Sequence, residues 1–401
     1  MNLAAWEALV EEWSLPRFRA RQIFDALHRQ GVRDYAAMRV LPKDLRERLA
    51  RELPLGLPEI ARREASSDGS VKYGLRLSDG ALIEAVFMPG EAWRAAVNEF
   101  EDARALGIGV QDRVSGLRER KEVREPSVPA KAASTPAQQR FTVCVSSQTG
   151  CAVDCAFCVT GRLGAGRNLT TGEIVGQLYA VLDDRERSTP GARVVFMGMG
   201  EPFLNPDGVI GALDVLFEVI SPRRVTVSTS GITPAFERFA KLPRRPNLAV
   251  SLNAADEETR TRIMPITATY PLAEIVLAMR RWPLEPRRRI TAEYVLIAGV
   301  NDSPGDADRL VDLLAGIPVK VNVIPLNEDS VYLPGWKRPD EAAIDRFVER
   351  LARARLTATV RRSRGPDASA ACGQLKGRTE DPRRRKTREE ERLVVRPGGD
   401  G

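Results

Sequence analysis

The chain has 401 residues, 43% of them hydrophobic, enough for one large core beside a smaller accessory one. Lys and Arg number 61 against 54 Asp and Glu, and the net charge of +7 favours an acidic partner, nucleic acid first. With one histidine and five cysteines, a Ser-His-Asp triad and a His-rich zinc site lack raw material, and the odd, clustered thiols argue against a secreted disulfide framework.

In chain order, residues 1–62 read as short amphipathic helices. AAWEALVEEW, RARQIFDALHRQ and KDLRERLARE carry apolar residues at three- and four-residue steps, broken at Pro16, Pro42 and Pro54. The acidic start has no basic segment leading into an apolar core, and no apolar run reaches membrane-spanning length. A cytoplasmic protein without a membrane segment is expected. His28, in the second helix, reads as an ordinary surface or helix-end residue. In SVKYGLRLSDGALIEAVFMPG two alternating runs flank Ser78-Asp79-Gly80, a hairpin signal that makes 63–90 a β extension. Residues 91–140 start helix-like and run into REPSVPAKAASTPAQQR, whose Pro, Ala and charge mark a mobile insert or linker.

From residue 141 a regular alternation begins. FTVCVS, RVVFMG, RRVTVSTS, NLAVSLN, ITAEYVLI, VKVNVIPLN and TATVRRS read as strands, separated by helical stretches such as TTGEIVGQLYAVLDD. This predicts an α/β fold over 141–375: a parallel sheet of βα units, closed or partly closed as a barrel. Polar and Gly-rich residues recur where the strands finish, the rim at which barrel enzymes build their sites. The tail 376–401, with PRRRKTREEER, reads as a solvated basic segment able to touch RNA.

Four cysteines stand in FTVCVSSQTGCAVDCAFCVTG, and the fifth, Cys372, in ASAACGQLKG. Cys151-x3-Cys155-x2-Cys158 supplies three thiolates from one short loop. Zinc wants four ligands, commonly as two separated pairs. A 4Fe–4S cluster normally takes four thiolates too, and three leave one iron open to a substrate. A structural metal site is the other reading of the spacing alone. Seen alone, Cys144 is a buried strand cysteine, Glu84 an exposed strand glutamate and GMGEP a tight turn. In that turn Gly200 permits close backbone approach, and Glu201 can accept from an ammonium.

The cysteine spacing after the first barrel strand, with GMGEP ending RVVFMG, resembles the radical S-adenosylmethionine (SAM) superfamily. There SAM occupies the open iron through its amino and carboxylate groups, and an electron from the cluster splits the sulfonium to give a 5′-deoxyadenosyl radical. With RRVTVSTSGI, LAVSLNAADEETR, EYVLIAGVND and AACGQL in order, the match runs from about residue 10 to 378 apart from the insert. Over that length the chain resembles the radical-SAM RNA adenosine methyltransferases that modify adenine C2 in 23S rRNA and, in many members, tRNA.

The resemblance implies a 4Fe–4S cluster on Cys151, Cys155 and Cys158, and two SAM per turnover held by Gly200, Glu201, Ser228, Ser251, Leu252, Asn253 and Asn327. One SAM methylates Cys372. The second yields the radical that activates this methyl for addition to C2. Glu84 matches the proton acceptor, and Cys144 the thiol that attacks Cys372 sulfur, releases product and leaves a disulfide. A monomer served by an electron donor such as flavodoxin or ferredoxin is implied, with residues 1–90 helping to grip RNA. Methylation at adenine C8 shares the cluster, GMGEP and both outlying cysteines. A non-catalytic RNA-binding protein with a structural metal centre is the alternative from another class. Three features depart from the family: Asn253 where histidine is usual, EDSVYLPGWKRPD after Asn327, and an insert between Glu84 and Cys144.

Overall fold

The computed structural model describes residues 1–90, 140–361 and 373–375. The expected insert (but for Arg140), the basic tail and Cys372 itself lie outside the described residues.

Three helices open the chain: α1 (Leu3–Glu12), α2 (Phe18–His28) and α3 (Lys43–Glu52). Asn2 caps α1 by accepting from the Ala5 amide, and Pro42 sits at the start of α3, where its missing N–H costs nothing. Their apolar stripes close on a separate small core that includes Trp6, Phe24 and Leu49.

A strand follows that the alternation did not separate from the helical stretch. β1 (Glu59–Ala65) pairs antiparallel with β2 (Val71–Arg76), and β2 with β3 (Leu82–Pro89) across the expected turn. The sequence of β1, EIARREA, is mostly charged because it is an edge strand exposed along most of its length. Pairing with β2, not burial, shapes it.

β3 then pairs antiparallel with β4 (Phe141–Cys144), the first strand of the parallel part. Next come β5 (Ala192–Phe196), β6 (Val225–Thr229), β7 (Asn247–Ser251), β8 (Ile290–Leu296), β9 (Val319–Pro325) and β10 (Ala358–Val360). Each pairs parallel with its predecessor, so the ten strands lie in chain order, with β1 and β10 at the edges. This is the α/β architecture expected, a parallel barrel portion extended by a meander.

The helices between the strands are α4 (Val159–Arg162), α5 (Thr171–Asp184), α6 (Pro206–Leu216), α7 (Thr233–Ala240), α8 (Glu257–Ile263), α9 (Leu272–Arg281), α10 (Pro304–Leu314) and α11 (Glu341–Arg353). Capping boxes at Thr170 and Ser303 start α5 and α10. One sheet face is buried and predominantly apolar: Val194, Phe196, Val225, Val227, Leu248, Val250, Ala292 and Tyr294. The opposite face carries half-buried Val195, Thr226, Ser228, Ser251 and Thr291. That face is where polar ligands can be met.

His28 is not a surface residue. It ends α2 as expected, yet it is 7% exposed, and its Nδ1 lies 2.6 Å from the Tyr179 hydroxyl on α5. Burial pushes its pKa down to about 3. The ring fastens the helical unit to the barrel, alongside the Arg33–Asp183 ion pair. Among the described residues no helix is long and apolar enough to cross a membrane.

Candidate active site

β4 ends at Cys144, and the loop after it carries Cys151, Cys155 and Cys158, all half-buried. Backbone hydrogen bonds pin this loop on three sides. The Cys151 amide donates to Gly164, that of Ala156 to Ile263 at the end of α8, and that of Val159 to Gly373. The thiols are near enough to feel one another's charge. Burial and the charge of Cys158 push Cys151 up to about 12, and burial with both neighbouring charges pushes Cys155 well up. Three thiolates at neutral pH therefore need a strongly positive group among them. Among the described residues no three His, Cys, Asp or Glu side chains are arranged to hold a metal ion. A 4Fe–4S cluster differs from a single ion in giving each thiolate its own iron, and three soft thiolates on one pinned loop fit that demand. When bound, such a cluster and SAM supply the methyl group and the radical.

Glu201 follows β5 and is buried, which pushes its pKa up, while hydrogen bonds from its neighbours oppose the shift. The Phe203 amide donates to one carboxylate oxygen at 2.9 Å and the Ser230 amide to the other at 2.7 Å. The side chain is thus aimed by two backbone donors. Gly200 has φ +94° and lies against Gln148, whose Cβ would be 2.5 Å from any Cβ added there. Gln148 Oε1 in turn accepts the Glu201 amide at 2.9 Å. Only glycine fits this turn.

Ser228 and Ser251 stand half-buried on the polar face, on β6 and at the end of β7, and Asn327 is half-buried just past β9. Leu252 is buried, with its amide donating to the Glu293 carbonyl. Asn253 adopts φ +59°, a left-handed conformation in which asparagine is enriched. Its Oδ1 accepts the Val295 amide at 2.9 Å, and its Nδ2 donates to Met264 Sδ at 3.1 Å. The oxygen thereby joins the end of β7 to β8, and the nitrogen reaches the residue that caps α8.

Glu84 and Cys144 come together through strand register. Val86 pairs with Cys144, so Glu84, two residues earlier on β3, shares that face of the sheet. Glu84 is 1% exposed, contrary to its appearance as an exposed strand residue. Arg62 Nη2 lies 2.8 Å from its carboxylate and the buried Lys72 ammonium 3.8 Å. These two cations, on β1 and β2, offset the cost of burying the carboxylate. Neither was singled out from sequence, because only the pairing of three strands brings them to Glu84.

Residues 145–311 match the Radical SAM superfamily, and residues 1–54 match the ribosomal RNA large subunit methyltransferase N-terminal domain. The chain is 41% identical over 381 residues to the dual-specificity RNA methyltransferase RlmN of Geotalea uraniireducens (strain Rf4), covering 94% of this chain and 95% of that one. The chain belongs to the RlmN family of dual-specificity RNA methyltransferases. The RlmN of Geobacter sulfurreducens is 42% identical over 366 residues, 90% of this chain and 87% of its own. Among solved structures, a radical SAM methyltransferase from Sphaerobacter thermophilus superposes with a TM-score of 0.77 at 38% identity, covering 94% of this chain and 98% of that one. Membership of the RlmN family makes the protein a radical SAM methyltransferase and implies a 4Fe–4S cluster and SAM. A non-catalytic binding protein is thereby set aside.

Proposed function

We propose that the protein methylates C2 of adenosine in RNA, in 23S rRNA and in tRNA, by way of S-methylated Cys372 and a transient Cys144–Cys372 disulfide. The observation that carries the reading is the meeting of Glu84 and Cys144 on one face of the sheet, next to the loop that bears the three cysteines. Cys151, Cys155 and Cys158 hold the cluster. Gly200, Glu201, Ser228, Ser251, Leu252, Asn253 and Asn327 form the rim that holds SAM, with two SAM used per turnover.

Glu84, kept beside Arg62 and Lys72, takes the proton from C2 of the adduct as its unpaired electron passes to a one-electron acceptor, a role the cluster would fill when bound. The Cys144 thiolate then attacks Cys372 sulfur. A sulfur–sulfur bond forms as the carbon–sulfur bond to the RNA breaks, the carbon keeping the bonding pair and taking up a proton to become the methyl group, and an external dithiol later returns both cysteines to thiols. Residues 1–62 form an RNA-gripping unit, 63–90 the β extension and 141–375 the catalytic barrel. We assign the monomer to the cytoplasm, with flavodoxin or ferredoxin as electron donor.

Mass spectrometry of nucleosides from rRNA and tRNA of a deletion strain tests this. Loss of 2-methyladenosine from both RNAs is expected. Loss of the 8-methyl isomer instead would overturn the regiochemistry, and an unchanged profile would overturn the assignment.

A further inference from the structure

Arg260, in α8, is fully buried, and no carboxylate is among its hydrogen-bond partners. Its Nε donates to the Leu252 carbonyl at 3.0 Å and its Nη1 to Thr267 Oγ1 at 2.7 Å. Its Nη2 donates to the Ser230 carbonyl at 2.6 Å and that of Ser251 at 3.2 Å. Every acceptor is neutral. Burial lowers its pKa to about 10, so the guanidinium is charged at neutral pH. A buried cation held only by neutral groups is costly unless an anion lies close. Cys155 packs against the small core that holds Ile263 and Met264, at the end of the helix that carries Arg260. The helix that carries Arg260 also grips the cysteine loop, through the Ile263 carbonyl and the Ala156 amide. The Ser230 amide, one bond system further on, orients Glu201.

We infer that Arg260 is a positioning residue that sets a fixed positive charge beside the Cys155 part of the cysteine loop while clamping the ends of β6 and β7. It rests on the reading of the three cysteines as ligands of a 4Fe–4S cluster. Three thiolates make that group anionic, and a cation in a low-dielectric setting stabilises the more negative, one-electron-reduced form. Removing the charge makes reduction harder. Clamping alone would leave the potential where it is.

The test uses full-length protein, reconstituted anaerobically and titrated with dithionite, with the reduced cluster followed by electron paramagnetic resonance. Iron content and melting temperature are measured on the same samples. Arg260→Gln with a full iron complement is expected to show a midpoint potential displaced to more negative values. Arg260→Lys, which keeps a charge with fewer donors, is expected nearer to wild type. Full iron in Arg260→Gln with an unchanged potential overturns the inference. So does a lysine variant displaced as far as the glutamine one. If Arg260→Gln fails to hold iron, the lysine variant decides alone, a potential near wild type supporting the role and a negative displacement overturning it. Wild-type protein that assembles no cluster refutes the ligand reading itself, before any variant is compared.

Discussion

Gly373 and Val159 are joined backbone to backbone, the Gly373 carbonyl accepting the Val159 amide at 2.7 Å. Two residues on, the Leu375 carbonyl accepts the Thr160 hydroxyl at 2.7 Å. The segment that follows Cys372 in sequence is thereby fastened to the turn that follows Cys158. On the proposed reaction, in which Cys372 takes a methyl from SAM, such a tether matters, since effective concentration depends on held geometry.

Gly373 has φ +84°, and a Cβ there would lie 3.2 Å from the Phe157 carbonyl oxygen. Gly373→Ala is expected to strain the tether by about 1 kcal/mol or more. Iron content should stay at the wild-type level while methyl transfer from labelled SAM to RNA slows by roughly tenfold for each 1.4 kcal/mol of misplacement. An unchanged transfer rate would show that this segment does not position Cys372.

Replacing any one of Cys151, Cys155 and Cys158 by Ala should abolish cluster assembly and every methylated product. Two thiolates cannot anchor four irons against loss to solvent. Iron and sulfide analysis of Cys155→Ala after reconstitution checks this, and a full complement with continued SAM cleavage would refute it.

The pH dependence of stability has a specific source in His28. Its folded pKa of about 3 lies below the ordinary value of 6.5, so the unfolded chain takes up the proton first. The contribution to stability is present above pH 6.5 and is lost as pH falls toward 3. Between pH 6.5 and 5, wild type should lose about 1.5 kcal/mol more than His28→Gln, which cannot titrate. Parallel denaturation curves for the two proteins across that range would mean that the ring is not held neutral.

Much of this was legible in the residues, for a reason that also marks the failures. α1 to α3 and the seven strands from β4 carry their period in local sequence, so their boundaries lie within a few residues of those expected. The cysteine loop and GMGEP are likewise local. His28 was misread because its partner, Tyr179, is 151 residues away. Glu84 was misread because the cations that make its burial tolerable lie on two other strands. Arg260 sits in DEETR, which looks like an ordinary surface run of helix charges, and only the tertiary fold turns it inward. Charge buried by long-range partners leaves no period.

Asn253 offers a check on the departure from histidine. Asn253→Ala would put alanine at φ +59° and leave the Val295 amide without its 2.9 Å acceptor. A stability loss of about 2 kcal/mol or more is expected from strain and the lost bonds together. Thermal melting measures this directly, and a melting temperature equal to wild type would place the side chain elsewhere than on the barrel wall.

The decisive variant is Cys144→Ala. Cys144 is buried at the end of β4, opposite Val86. Were packing its whole role, the substitution would cost on the order of 1 kcal/mol and leave turnover nearly intact. As the resolving thiol, it should be dispensable for cluster assembly, SAM binding and methylation of Cys372, all of which precede its attack. Catalysis should then stop after addition to RNA, with the nucleic acid bonded to protein through the Cys372 methylene carbon, since no second thiolate remains to attack sulfur. Expression of Cys144→Ala in cells should yield a nuclease-sensitive, slow-migrating species on a denaturing gel, absent from Cys144→Ala/Cys372→Ala. Normal methylated adenosine with no trapped species would remove the covalent mechanism and the roles of both outlying cysteines, while leaving the cluster ligands and Arg260 to be judged on their own measurements.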